Sequence, residues 1–109
     1  MATIGEFIAE KLFNMAAWLE REGVEGSEGL VVESRKLTPL IATLIASSIK
    51  TEQVAVGARH WDRLSEKFKV DSGKYPMFKG FASIFESVRA RPETHERFWR
   101  YMDLMCEVA

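Results

Sequence analysis

Apolar residues recur at three- and four-residue intervals along most of the chain, the spacing that lines one face of an α-helix, and nowhere do they alternate strictly as in a half-buried strand. The first such stripe is Ile4, Phe7, Ile8, Leu12, Met15, Trp18 and Leu19. Thr3-Ile4-Gly5-Glu6 at its head has the form of a capping box, in which the threonine oxygen takes an orphan backbone N–H. The spacing predicts a helix that starts there and stops before Gly23. Three glycines fall between residues 23 and 29, which makes helical order costly in entropy and predicts a loop. From residue 27 to 36 the pattern suits a short helix beginning near Ser27 and irregular chain equally well.

Thr38-Pro39 is a clearer start signal, because proline at the first helical position gives up only a hydrogen bond that position lacks anyway. The helix predicted over 39–50 carries Leu40, Ile41, Ala42, Leu44, Ile45, Ala46 and Ile49, almost without a polar face, and is expected to be the central and most buried one. Thr51 is read as the cap of a third helix over 52–69, with Val54, Ala58, Trp61, Leu64 and Phe68 on one side and Arg59, Asp62, Arg63 and Glu66 on the other. A turn follows over 70–75. Pro76 opens a fourth helix whose stripe is Met77, Phe78, Phe81, Ile84, Phe85 and Val88, and Pro92 with Glu93 opens a fifth that runs to the last residue. With no Asn-Gly or Asp-Gly hairpin signal, the fold class expected is all-α: a compact antiparallel bundle of about five helices, forming one domain over residues 1–109.

Composition agrees with a self-sufficient core. The 109 residues are 47% hydrophobic and 28% charged, and a chain of this length buries roughly two thirds of its unfolded surface, so no metal or disulfide staple is needed. Cys106 is the lone cysteine, and together with two histidines it makes a poor inventory for structural zinc. A reducing, intracellular setting is expected. The uncharged run over 37–49 is shorter than the roughly 20 residues a membrane span requires. Glu6 and Glu10 precede any basic cluster, so neither span nor cleaved leader is expected.

Charge is uneven along the chain: net −5 over residues 1–34, +6 over 35–100 and −2 over the remainder. Arg59, Arg63, Lys67, Lys69, Lys74 and Lys79 form the basic centre, a feature that nucleic-acid binders share. Acids interleave with them, however, and the turn before Pro76 is too long for a helix-turn-helix, so nucleic acid is not the expected partner.

Catalytic signatures are missing. No glycine-rich phosphate loop follows a strand, no nucleophile elbow occurs, and no two histidines stand four apart on a helix. His60 falls at the border of the third stripe, where an amphipathic ring keeps one wet edge, and His95 is read as a surface or capping residue. Ala58-Arg59-His60 with the two following helices resembles the stretch from the proximal histidine to the C-terminus in globins. That resemblance implies haem ligation by His60. The long connection to Pro76, and Pro39 in the helix that would face the haem, depart from the globin pattern.

What remains is an apolar surplus. Phe98, Tyr101, Met102, Leu104, Met105 and Val108 already cover a wide arc of the fifth helix, Trp99 and Cys106 extend it, and Phe13 lies nearly opposite the stripe of the first. Protein interfaces are enriched in aromatic and methionine side chains. The expectation is a non-catalytic helical interaction module without a cofactor, either a homo-oligomer or an accessory subunit of a larger assembly. It meets another protein chain through Phe13, Trp99 and Cys106, with the fifth helix as docking element.

Overall fold

The computed structural model describes residues 3–109, and every regular element in it is helical. Thr3 Oγ1 accepts the Glu6 N–H at 3.1 Å and starts α1, Ile4–Arg21. Gly23, at φ 72°, ends it: the Gly23 N–H returns to the Glu20 carbonyl and the Val24 N–H to that of Leu19, and Val24 is buried beside them. This is the Schellman arrangement, which favours glycine because the turning residue must be left-handed.

The ambiguous stretch is a helix, α2, Ser27–Arg35. Its short apolar stripe, Leu30 and Val31, is sealed from solvent, and the buried hydroxyls of Ser27 and Ser34 donate to the Val24 and Val31 carbonyls at 2.6 and 2.7 Å. Packing against α1 outweighs the glycine content that predicted a loop. Helix α3, Pro39–Lys50, begins as expected, with Thr38 Oγ1 accepting the Ile41 N–H at 3.2 Å. The first turns of α1 and α3 touch, since a Cβ on Gly5 would stand 2.5 Å from the Pro39 carbonyl oxygen.

The single helix expected over 52–69 is instead two, α4 (Gln53–Gly57) and α5 (Trp61–Asp71). Thr51 does not cap a new helix. It closes α3, its hydroxyl donating to the Ser48 carbonyl at 2.6 Å. The break sits at Arg59, whose φ of 54° makes it the one non-glycine residue in the left-handed region among the described residues. The bonds Arg59 N–H to Val56 and His60 N–H to Ala55 repeat the Schellman pattern of Gly23.

Helix α6, Pro76–Arg89, buries the six-residue stripe read from the sequence. A single 3₁₀ turn, Pro92–Thr94, then delays the last helix, α7, to His95–Val108. The count is therefore seven helices among the described residues, where about five were expected, and the all-α class stands.

Helix α1 packs on α2, α3 and α7; α2 bridges to α6; and α4 fills the space between α5 and α7. One continuous cluster of buried side chains draws on all seven helices. Its centre is aromatic. Phe68 of α5 lies 5.1 Å from Phe81 and 5.3 Å from Phe85 of α6, while Trp61 lies 5.1 Å from Phe85 and 4.7 Å from Trp99 of α7. The least expected occupant of the interior is Asp71, 1% exposed at the end of α5. Its carboxylate is 3.0 Å from Lys67 Nζ and 3.7 Å from Lys74 Nζ, and neither oxygen receives a well-directed hydrogen bond.

Candidate functional site

The apolar surplus of the last helix is absorbed internally. Phe98, Met102 and Met105 are fully buried and Trp99 is only 4% exposed, because α7 is covered on several sides by α1, α3, α4 and α6. This corrects the expectation that Trp99 flanks a docking surface: its indole is packed against Trp61 and lies under the Arg59 guanidinium, 5.3 Å from ring to cation. Tyr101, Leu104, Cys106 and Val108 are half-buried against the core, so only part of the apolar arc of α7 reaches the surface. Phe13 is likewise half-buried, with Arg35 of α2 over its ring at 5.7 Å. Burial, reinforced by Asp103, pushes the Cys106 thiol above its ordinary pKa, so it is a poor nucleophile. The structure does not bring Phe13, Trp99 and Cys106 together as one surface.

His60 sits at the N-cap of α5 and is exposed, not at the edge of a continuous helical stripe. Its Nδ1 accepts the Arg63 N–H at 3.2 Å, which leaves Nε2 as the free ring atom. The depression beside it, about 430 Å³, is lined by Glu52, Asp62, Arg63 and Glu66 together with Val54, Ala55 and Ala58. Arg63 is already paired with Glu52 at 3.1 Å, and Asp62 with Arg89 at 2.7 Å. Hydrogen bonding to Arg89 holds the Asp62 carboxyl below its usual range. These groups form a network of exposed ion pairs, and the flat, acidic surroundings lack the deep apolar slot that buries a haem. His95 does cap a helix, but α6 instead of its own: its Nε2 lies 2.9 Å from the Val88 carbonyl and 3.0 Å from that of Arg89. Among the described residues no three His, Cys, Asp or Glu side chains are placed to share a metal ion.

Apolar surface is exposed on α3 instead. Leu40 is 69% and Leu44 39% exposed, one turn apart, so the helix expected to be the most buried presents part of its apolar arc to solvent. From Pro39 to Ile49 this helix has no charged residue, and its other outward positions are Thr43, Ser47 and Ser48. The outward faces of α1, α2, α5, α6 and α7 all carry charged side chains. Because the first turns of α1 and α3 touch at Gly5 and Pro39, Ile4, 64% exposed, stands close to the same end.

On the neighbouring flank of α3, Leu37, Ile41 and Ile45 line a groove of about 420 Å³ that is closed by Tyr75, Pro76 and Met77 and rimmed by Glu33, Lys36 and Lys74. It meets a second hollow of about 690 Å³ past Glu33 and Pro76, floored by Gly26, Gly29, Gly73 and Gly80, with Ser72, Lys79 and Ser83 on its walls. α3 thus borders both the uncharged face and the apolar groove. No family model, curated protein or solved structure matches this chain.

Sequence reasoning missed Leu40 and Leu44 as surface residues. The signal was present in the uncharged run over 37–49, but a helix apolar all round reads as buried, and nothing local says which arc neighbours leave open.

Proposed function

We propose that the protein is a non-catalytic helical interaction module that docks on another protein chain through the outward face of α3, with a second copy of itself as the occupant. The observation that carries this reading is the pair Leu40 and Leu44, exposed on the one long helix whose outer face has no charge between Pro39 and Ile49. An isologous contact places like surface against like. Between Pro39 and Ile49 two copies of this face would meet without taking a charged group out of water, a cost that the charged outer faces of the other long helices would incur; Lys50, the last residue of α3, lies beyond that stretch. Thr43, Ser47 and Ser48 beside the leucines are small enough for helix axes to approach closely. Among the described residues no helix is long and apolar enough to cross a membrane.

Light scattering across a concentration series tests the proposal. The expected mass is twice the 12.4 kDa of one chain at micromolar concentration and falls on dilution. Replacing Leu40 and Leu44 by lysine should return it to the single-chain value with the circular dichroism spectrum unchanged, since Leu40 is largely in water and Leu44 sits at the surface, where a lysine can lay its stem and keep its ammonium hydrated. A wild-type chain that stays at single-chain mass throughout, or a double lysine variant that still pairs, would sink it.

A further inference from the structure

The groove beside α3 has the chemistry of a site for a small amphiphile, independent of the self-pairing face. Its floor is apolar and sealed, with Ile45 and Met77 at 0% and 2% exposure, and Leu37, Ile41 and Tyr75 form half-buried walls above them. Its volume, about 420 Å³, lies in the range of small-molecule sites.

The charges at its mouth are not balanced. Glu33 is the one acid lining the groove, and Lys36 stands 3.5 Å from it. Lys74 is paired at nearly the same distance, but with an acid that it shares with a second lysine. Its nearest acid is Asp71, 3.7 Å away, and the Asp71 carboxylate is engaged more closely by Lys67 at 3.0 Å. The Lys74 ammonium is thus an exposed and weakly neutralised cation on the rim of an apolar bay, and Lys79 adds a further positive charge in the adjoining hollow.

We infer that the groove binds a medium-chain fatty-acid carboxylate, the alkyl chain lying over Ile45 and Met77 and the carboxylate meeting Lys74, with Lys36 adding to the local positive charge. Removing alkyl carbons from water drives such binding, at roughly 25 cal/mol per Å² of apolar area, and the cation orients the chain and selects its charge.

Titrating sodium decanoate below its micelle concentration into protein labelled at Ile, Leu and Met methyls tests this directly. The expected result is saturable shifts confined to Leu37, Ile41, Ile45 and Met77. Lys74→Glu should weaken decanoate about tenfold, Lys74→Gln less, and neither should affect decanol, which carries the same chain without the charge. Ile41→Trp should fill the bay and abolish both. Shifts spread over the whole protein, no saturation, or equal affinity for decanoate in the Lys74→Glu protein would each overturn the inference. Light scattering on the same samples keeps this outcome separate from that of self-pairing, because Leu40 and Leu44 do not line the groove.

Discussion

Arg59 occupies a place where glycine is the usual choice. A left-handed conformation costs an L-residue roughly 1–2 kcal/mol, yet the side chain recovers part of that through a paired contact with Asp103, at 2.6 and 2.9 Å, and through its position over Trp99. Arg59→Gly therefore exchanges contacts for relief of strain, whereas Arg59→Ala loses the contacts and keeps the strain. Urea denaturation should find the alanine variant less stable than the glycine variant by about 1 kcal/mol. The helix break was not legible in the sequence for the same reason: an arginine between Ala58 and His60 gives no sign of a turn that glycine would have announced. At Cys106 the raised thiol pKa means that the folded state holds the proton more tightly, so stabilisation by the neutral thiol is present below the unfolded pKa and fades as pH climbs through the folded one. Its reaction with a disulfide reagent at mildly alkaline pH should be slow in the native protein and accelerate in urea. Asp62 has the opposite sign. Held low by Arg89, it stabilises the fold above the ordinary carboxylate pKa, and that contribution disappears as pH falls below about 4, so Asp62→Asn should flatten the acid limb of a stability profile.

Between helices, three glycines with different surroundings separate propensity from packing. Gly29 lies inside α2 with open space where a Cβ would go, so Gly29→Ala should stabilise by about 0.5–1 kcal/mol. Gly5 is where the backbone of α3 closes on α1, with the Pro39 carbonyl in the way, and Gly5→Ala should cost about 1–3 kcal/mol despite alanine's better helix propensity. Gly80 is intermediate: the nearest atom is the Leu30 Cδ1 at 3.0 Å, a side-chain tip that has to give by a few tenths of an ångström within the core, which makes Gly80→Ala less costly than Gly5→Ala but not stabilising. Thermal denaturation of the three variants would order them Gly29, Gly80, Gly5 from most to least stable. At this scale the stripe of α6 and the proline-led starts of α3 and α6 were readable, because amphipathic period and proline geometry are local. Helix α2 was not, since its few apolar residues matter only once α1 and α6 cover them.

Across the whole molecule, the number of helices decides what counts as surface. Five rods would leave the last one partly bare; seven shorter ones enclose it, and the aromatic residues of α5, α6 and α7 close over each other. Truncating that centre, as in Phe98→Ala, should cost about 3–5 kcal/mol in chemical denaturation. The all-α class was legible because it depends on periodicity alone. The candidate docking face was not, because the arc of α3 that stays bare depends on how α1, α7 and the Tyr75–Met77 segment surround it.

Asp71 and Lys67 carry a consequence for how this sequence can drift. Losing only Lys67 would leave this barely hydrated carboxylate with Lys74 alone, 3.7 Å away, at a cost of up to about 3–5 kcal/mol, whereas apolar side chains at both positions would leave stability level or higher. Descendants of this chain should therefore change the two positions in step, keeping the pair or shedding it whole, with single changes purged before they spread.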